Sequence, residues 1–411
     1  MPRKVAPDIW LFAVAIVLLS TGIVMIYSAS AIVAADRFRD PYFFLKRQIF
    51  WAAIGCGALW LALRTDYRRL EKLVLPLLAL AALLLVLVLI PGLGVSVNGS
   101  RRWLRLGPFS FQPVELAKLA LVVYLAAFLA RKREELDDVW RGLVPPLAVG
   151  GVLASLVMLQ PDLGNAVTLL VLTVGLLFLA GARTSWLAML AIPALPLAAL
   201  AVWMAPYRMR RVFAFLDPWQ DPRGGGFQII QSWLAFGSGG VFGRGIGESK
   251  QKLFYLPEAH TDFILAVIGE ELGVMGILVL LFLYGLIAFA GLRAARQARG
   301  AYAKLLAAGL TSWILCQALL NIYTVLGLAP LTGVPLPFIS SGSTSLITLL
   351  FAMGLLLNVA SGGSTHLRAV RGPRGGQTKK GSDERTADRG RGRRDGRARG
   401  AGRRGGRRAA G

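Results

Sequence analysis

Long apolar runs separated by short polar clusters dominate the chain. Each run has about 17–25 residues, enough for a helix to cross roughly 30 Å of hydrocarbon. The runs lie near residues 9–29, 48–63, 73–91, 114–130, 143–160, 164–181, 186–205, 262–290, 305–328 and 343–360. Because a helix satisfies all its backbone polar groups internally, we predict one spanning helix from each run. The predicted fold class is an all-α polytopic membrane protein with about ten transmembrane helices.

Composition supports this prediction. Hydrophobic residues make up 55% of the chain and charged residues only 17%. A water-soluble protein this apolar would lack the polar surface to cover its core, whereas lipid can solvate apolar helix faces directly. Both cysteines, Cys56 and Cys316, fall inside apolar runs, so no disulfide framework is expected.

The distribution of positive charge predicts an orientation. Alternate connections, beginning with residues 1–8, contain more than twice the density of Lys and Arg found in the other connections. The positive-inside rule therefore places both termini in the cytoplasm. The predicted organisation is a cytoplasmic N-terminus (1–8), a ten-helix domain (9–360) with a long external loop (206–261) between helices seven and eight, and a tail (361–411).

The tail is strongly basic and lacks apolar periodicity. Of the net charge of +24, much comes from this Gly- and Arg-rich segment, for which we predict disorder. Anionic lipids beside the last helix are the expected partner. Its Arg-Gly repeats could also suit RNA, but no nucleic-acid partner is expected.

Two connections on the predicted external side are long. Residues 92–113 form one, and residues 206–261 the other. Within the second, Phe227, Ile230 and Leu234 recur at helical spacing, which predicts a short helix at the membrane interface. A glycine-rich stretch, 237–247, should end it. No nucleotide-binding fingerprint is present, which argues against chemistry on a soluble sugar nucleotide.

Ionisable residues inside predicted spans are candidates for function because a charge in hydrocarbon needs a cavity or a partner. Glu115 and Lys118 share a helix face and could simply neutralise each other. Glu270 and Glu271 must be protonated or paired. We expect their partner to be Lys118 or an arginine from another helix.

Three further residues mark the entrance to the eighth span. Asp262 could cap that helix, or it could act as a base, since a carboxylate partly removed from water gains proton affinity. Glu258 and His260 lie close to it in sequence. One histidine cannot build a metal site alone, and no metal site is predicted. Asp162, in an external turn, is also either a helix cap or a functional carboxylate.

Arginines are unusually frequent on the predicted external side. They are Arg101, Arg102 and Arg105 in one loop and Arg208, Arg210 and Arg211 in the other. These could contact lipid headgroups in general. Alternatively, they recognise a phosphate-bearing lipid substrate, because guanidinium groups match phosphate oxygens in bidentate geometry.

Several stretches together resemble the SEDS family, which comprises FtsW, RodA and the sporulation protein SpoVE. They are NGSRRWLRLGPFSFQPVELAKL (98–119), QPDLG (160–164), RRVFAFLDPWQDPRGGGFQIIQSWLAFGSGGVFGRGIG (210–247), KLFYLPEAHTDFILAVIGEELGVMG (252–276) and PLTGVPLPFISSGSTSL (330–346). The run before His260 resembles the FtsW and SpoVE branch more than RodA. The chain departs from the family at Ser341-Gly342-Ser343-Thr344, where a Gly-Gly pair is expected, and at Thr332, where some members carry lysine.

The resemblance implies a peptidoglycan glycosyltransferase in the cytoplasmic membrane that polymerises lipid II on the outer face. Asp262 would be the general base that deprotonates the acceptor sugar's 4-hydroxyl, and undecaprenyl diphosphate would leave with inversion. Arg101, Arg102, Lys118 and Arg210 are the candidates for binding the diphosphate. The supporting residues would be Glu115, Asp162, Glu258, His260 and Glu270. A divalent cation, Mg²⁺ or Mn²⁺, could assist, although no cofactor is required by the motifs.

The implied partners are a class B penicillin-binding protein and other cell-division proteins. Division is the expected process, with elongation or sporulation as alternatives. A flippase for the lipid-linked precursor, or a scaffold without chemistry, would also fit a many-span protein. The concentration of polar residues on one side favours the enzyme over both.

Overall fold

The computed structural model describes residues 8–97, 100–107, 109–253 and 256–362. The predicted tail lies almost wholly outside the described residues, as does the N-terminal segment. The helices are α1 Ile9–Phe38, α2 Phe43–Arg64, α3 Arg68–Lys72, α4 Val74–Leu89, α5 Pro113–Arg131, α6 Val144–Leu159, α7 Leu163–Ala180, α8 Thr184–Trp203, α9 Pro206–Leu216, α10 Phe227–Gly239, α11 Ile264–Gln297, α12 Ala301–Val325 and α13 Ser343–Ala360. The strands are β1 Gly94–Val97, β2 Ser100–Leu106 and β3 Phe109–Phe111.

Every apolar run predicted to span the membrane contains a helix, and these are α1, α2, α4 to α8 and α11 to α13. Within the described residues, 7 helical segments are long and apolar enough to cross a membrane, and α4 is a shorter apolar helix. The predicted fold class of a polytopic helical membrane protein is confirmed. Helices α5, α12 and α13 are the most buried of the 7, so they form the centre of the bundle.

A small antiparallel sheet, in the order β1-β2-β3, occupies the connection 92–113 that we predicted only as a loop. Side chains alternate across a strand. On β2, Leu104 is buried and Arg102 half-buried, whereas Arg101 and Arg105 are exposed. The sheet lies at the end of the bundle where α5 and α13 begin, since β2 packs on α5 and β3 on α13. We call this the site end.

Helix α11 is broken, although its sequence predicted one continuous span. Gly273 has φ 67° and ψ −165°, which lie outside the helical region. The loop after α10 fills the break with four backbone hydrogen bonds of 3.0–3.1 Å. The amides of Arg244 and Gly245 donate to the carbonyls of Glu270 and Glu271, and those of Val274 and Met275 donate to Gly240 and Val241. Irregular backbone inside a membrane protein requires this kind of internal pairing.

The short helix predicted around residues 227–234 is confirmed as α10. Its Ile229, Ile230 and Ala235 are buried, and it packs on the first half of α11. The helix ends in the predicted glycine-rich stretch, where Gly240 has φ 56°. α10 and the following loop therefore lie against α11 and carry the chain towards Asp262.

Candidate active site

Asp262 lies at the site end, directly before α11. Phe263 occupies the N-cap position of α11, and no side chain caps the helix there; the capping role considered for Asp262 is therefore wrong. Its backbone carbonyl accepts a hydrogen bond of 2.8 Å from Asn321 of α12. The Asp262 carboxylate makes no hydrogen bond to any described residue and opens into a cleft.

The cleft consists of two adjoining cavities of about 490 and 200 Å³. Both are lined by Arg211, Glu258, Asp262 and Gly333. The larger cavity adds Arg210 and Arg223 together with the polar side chains of Gln228 and Asn321. The smaller one adds Arg102 of β2 and Ser345 of α13. Two carboxylates and four arginines thus line the cleft.

Gly333 keeps the centre of the cleft open. Its φ of 67° suits glycine, and a Cβ atom there would lie 3.4 Å from Asp262 Oδ2 and 3.6 Å from Arg102 Nη1. Carboxylate and guanidinium therefore approach the same point without a side chain between them. A substrate group could contact both.

Two backbone carbonyls and one carboxylate hold two of the four arginines, Arg102 and Arg211, in place. Arg102 donates to the carbonyl of Pro161 at 2.7 Å, and its Nε lies 3.6 Å from Asp162 Oδ2. Arg211 donates to the carbonyl of Leu331 at 3.0 Å. Buried Asp162 also caps α7, where it accepts from the Asn165 amide at 3.2 Å. The predicted helix cap is confirmed, and the same carboxylate also contacts an arginine of the cleft.

The pKa of Asp262 is raised from 3.8 to about 7, chiefly by burial and secondly by the nearby Glu258 carboxylate. Arg102 and Arg211 oppose this effect by favouring the charged form, while Asp162 raises the pKa slightly. A carboxylate with a pKa near neutrality can both hold and release a proton at physiological pH.

Lys118 does not line the cleft in the described part of the chain. It is fully buried and forms an ion pair of 2.7 Å with Glu115, as one of the two interpretations predicted. Its ammonium group also donates to Asn165 of α7 and Gln317 of α12, at 3.2 and 3.3 Å. Lys118 therefore joins three helices behind the site, and only Asn165 connects it to Asp162.

Glu270 and Glu271 are both partnered, as one of the two alternatives predicted, but Lys118 is not a partner, and the arginine beside Glu270 comes from a loop and not from another helix. Neither carboxylate contacts Lys118; both bind the loop that precedes Asp262. Glu271 pairs with Lys252 at 2.9 Å and accepts from Ser28 of α1 at 2.6 Å. Glu270 accepts from Ser249 at 2.5 Å, and the amides of residues 250 and 251 also donate to it, while Arg244 lies 3.8 Å away. The sequence could not show that these loop residues lie beside α11.

His260 and Arg101 lie outside the cleft. His260 packs against Phe44, with ring centroids 4.5 Å apart and the rings tilted by 47°, and it lines a different cavity; burial lowers its pKa. Arg101 is exposed on the sheet. Among the described residues, no group of three His, Cys, Asp or Glu side chains could hold a metal ion.

Sequence reasoning missed several residues of the cleft. Arg211 was one of the external arginines, but only Arg210 was selected from the loop that contains both. Arg223 follows α9 in a loop without a distinguishing pattern. Asn321 is a polar residue within an apolar span, a signal that could have identified it; its Oδ1 is buried without a partner among the described residues.

The family model described as cell cycle protein, FtsW/RodA/SpoVE, matches residues 9–364. A relative from Geobacter metallireducens, named probable peptidoglycan glycosyltransferase FtsW, is 44% identical over 86% of this chain and 94% of its own length. Stage V sporulation protein E of Bacillus subtilis is 44% identical over 87% of this chain and 98% of its own length. One solved structure, described as a peptidoglycan synthase complex that coordinates polymerization and crosslinking, is 34% identical with a TM-score of 0.71 and covers 86% of this chain and 98% of that one. The chain belongs to the FtsW/RodA/SpoVE family of cell cycle proteins.

Proposed function

We propose that this protein is a peptidoglycan glycosyltransferase that polymerises lipid II during cell division. The observation that carries the proposal is the Asp262 carboxylate, whose pKa is about 7, in a cleft lined by four arginines. Relatives named FtsW match nearly the whole chain. The arrangement combines a base with cations suited to a diphosphate leaving group.

In the proposed reaction, Asp262 takes the proton of the acceptor sugar's 4-hydroxyl. The resulting oxygen attacks the anomeric carbon of the second glycan and forms the new glycosidic bond. The bond from that carbon to the diphosphate oxygen breaks, with inversion, and the electron pair leaves with undecaprenyl diphosphate. Arg102, Arg210, Arg211 and Arg223 stabilise the charge that develops on the phosphate oxygens.

A divalent cation fits this cleft. Asp262 and Glu258 both line it, and Mg²⁺ commonly binds one or two carboxylates together with substrate phosphates. Glu258 is the residue that would hold Mg²⁺ or Mn²⁺ without occupying the base. Such an ion would supply Lewis-acid stabilisation of the diphosphate. The four arginines perform the same task from the protein side.

We further propose that the site end faces outwards and that both termini are cytoplasmic. The density of Lys and Arg in the alternate connections supports this orientation. The proposed partners are lipid II, a class B penicillin-binding protein that crosslinks the strands, and other division proteins. The peptidoglycan synthase complex among the solved relatives supports a crosslinking partner. The basic tail would bind anionic lipid.

The test is polymerisation of lipid II by the purified full-length chain with its transpeptidase partner. Asp262→Asn should abolish strand formation and leave the folded protein intact. Asp36→Asn is the matched control because Asp36 is exposed on α1 and should keep full activity. Strand synthesis by Asp262→Asn at the wild-type rate would contradict the role of Asp262. Translocation of lipid II without any polymerisation by the wild type would favour a flippase instead.

A further inference from the structure

A second cavity, of about 280 Å³, lies beside the cleft at the site end. One face of the first two turns of α2 forms one wall: Phe44, Arg47, Gln48 and Trp51 follow the i, i+3, i+4, i+7 spacing of a single helix face. The sheet contributes Trp103 and Arg105 to the opposite wall. We call this space the α2 cavity.

The α2 cavity is electropositive. Arg47 and Arg105 line it, and no carboxylate does. Neither arginine forms an ion pair with any described residue, and both are exposed, so their guanidinium groups are available to an anion. Guanidinium groups match the oxygens of phosphate in bidentate geometry, as they do those of a carboxylate.

A buried donor in the same cavity lacks an acceptor. Gln48 is 2% exposed, and its Nε2 has no hydrogen-bond partner among the described residues. An unsatisfied buried amide costs free energy unless a ligand or water supplies the missing acceptor. A phosphate or sugar oxygen would satisfy it.

Aromatic side chains complete the lining. Trp51 and Trp103 are both partly exposed to the cavity. Tryptophan offers a large apolar face together with one polar N–H group. This chemistry suits the apolar face of a sugar ring, whereas a bare phosphate ion would not use it.

The α2 cavity and the cleft share a wall. Trp103, Thr261, Ser341 and Gly342 line both spaces. Ser340 donates to the carbonyl of Thr261 at 2.7 Å, and the Ser341 amide donates to that of His260 at 3.1 Å. The α2 cavity therefore adjoins the part of the cleft that Asp262 lines, and these hydrogen bonds hold the segment before Asp262 in place.

We propose that the α2 cavity binds the phosphate-bearing end of a second lipid-linked saccharide, so that Asp262 lies between two such substrates. Arg47 and Arg105 bind the phosphate, Gln48 donates to one of its oxygens, and the two tryptophans contact the sugar. This inference rests on the proposed function, because a polymerase must hold a donor and an acceptor together. It assigns one of them to the α2 cavity and the other to the arginines around Arg210.

The experiment counts bound lipid II on the full-length Asp262→Asn protein in nanodiscs of zwitterionic lipid, with fluorescent lipid II as the probe. The Asn variant prevents turnover, and two sites are expected. Adding Arg47→Ala and Arg105→Ala should weaken one site by roughly tenfold or more, the loss typical of removing charge-assisted hydrogen bonds. Adding Arg141→Ala and Arg183→Ala removes two exposed arginines elsewhere and should leave both sites unchanged.

Three outcomes would overturn the inference. In the first, the Asp262→Asn protein binds lipid II at one site only; in the second, both sites keep their affinity after Arg47→Ala and Arg105→Ala are added. In the third outcome, phosphatidylglycerol displaces fluorescent lipid II from the α2 cavity. The last would identify the α2 cavity as a general anionic-lipid site. Arg210→Ala separates this inference from the proposed function, since it should weaken only the other site. If Arg210→Ala leaves binding at both sites unchanged, the result would count against the proposed catalytic cleft and not against the α2 cavity.

Discussion

The proton affinity of Asp262 gives a quantitative prediction. As a base, Asp262 must be a carboxylate when substrate binds, so activity should rise with pH through its pKa of about 7. Between about pH 6 and about pH 8 the charged fraction of such a group rises from roughly 9% to roughly 91%, so kcat/KM should rise about tenfold. An ordinary aspartate would give a flat profile over this interval.

The cause of the shift can be tested with Glu258→Gln. Burial is the largest cause and remains in the variant, whereas the repulsion from the Glu258 carboxylate, the second cause, is removed. The midpoint of the profile should therefore move below that of the wild type, yet stay above 3.8, the ordinary value for aspartate. Relative to wild type, the variant should be most active at low pH.

The assay is the initial rate of lipid II polymerisation at low substrate concentration, because kcat/KM reports groups of the free enzyme. Glu134→Gln serves as the matched control: this glutamate is exposed near the end of α5, so its removal should not move the midpoint. A wild-type midpoint near 4, or a midpoint that rises in Glu258→Gln, would refute the reasoning.

Three further predictions concern stability. Because the pKa of Asp262 is raised on folding, the folded state holds its proton more tightly than the unfolded state does. Stability therefore falls as pH rises from about 4 to about 7. Asp262→Asn removes this effect and should raise the apparent Tm at about pH 8 by more than at about pH 5. Glu271→Ala should cost about 3–5 kcal/mol, because Lys252 is left buried and uncompensated, and adding Lys252→Met should recover much of the thermal stability. Gly273→Ala should lower the Tm, because φ is 67° and the new Cβ would lie 2.4 Å from a loop nitrogen, whereas Gly285→Ala in the same helix meets open space and should not.

Most of the fold follows from requirements that the sequence displays directly. A span must be apolar over a length set by the bilayer, so apolar runs locate the helices. Helical spacing alone identified α10 and the Glu115–Lys118 pair, since both depend on residues three or four apart. The break in α11 was missed because Gly273 lies within an apolar run, and an isolated glycine does not distinguish a tolerated helical position from a break.

The site was only partly predictable because its geometry depends on contacts between distant segments. The arginine cluster was visible, but strand alternation on β2 decides that Arg102 faces the cleft and Arg101 does not, and nothing in the sequence revealed a strand there. Lys118 appeared suited to phosphate binding as an intramembrane cation. Its pairing with Glu115 and burial among three helices instead make it part of the support behind Asp162.

Asp262 lies outside the helices, and hydrogen bonds from neighbouring segments hold it in position. One amide group, Nδ2 of Asn321, donates to the carbonyl of Asp262 and to that of Val334, both at 2.8 Å, so α12 ties together the two loops that form the cleft. From the other side, Glu270 and Glu271 fix the preceding loop to α11. This arrangement explains how an irregular segment can hold a partly buried carboxylate: its raised pKa requires walls that exclude water, and those walls persist only because buried polar side chains satisfy the loop backbone. Glu270 and Glu271, which do not line the cleft, therefore help to maintain the burial that raises the proton affinity of Asp262.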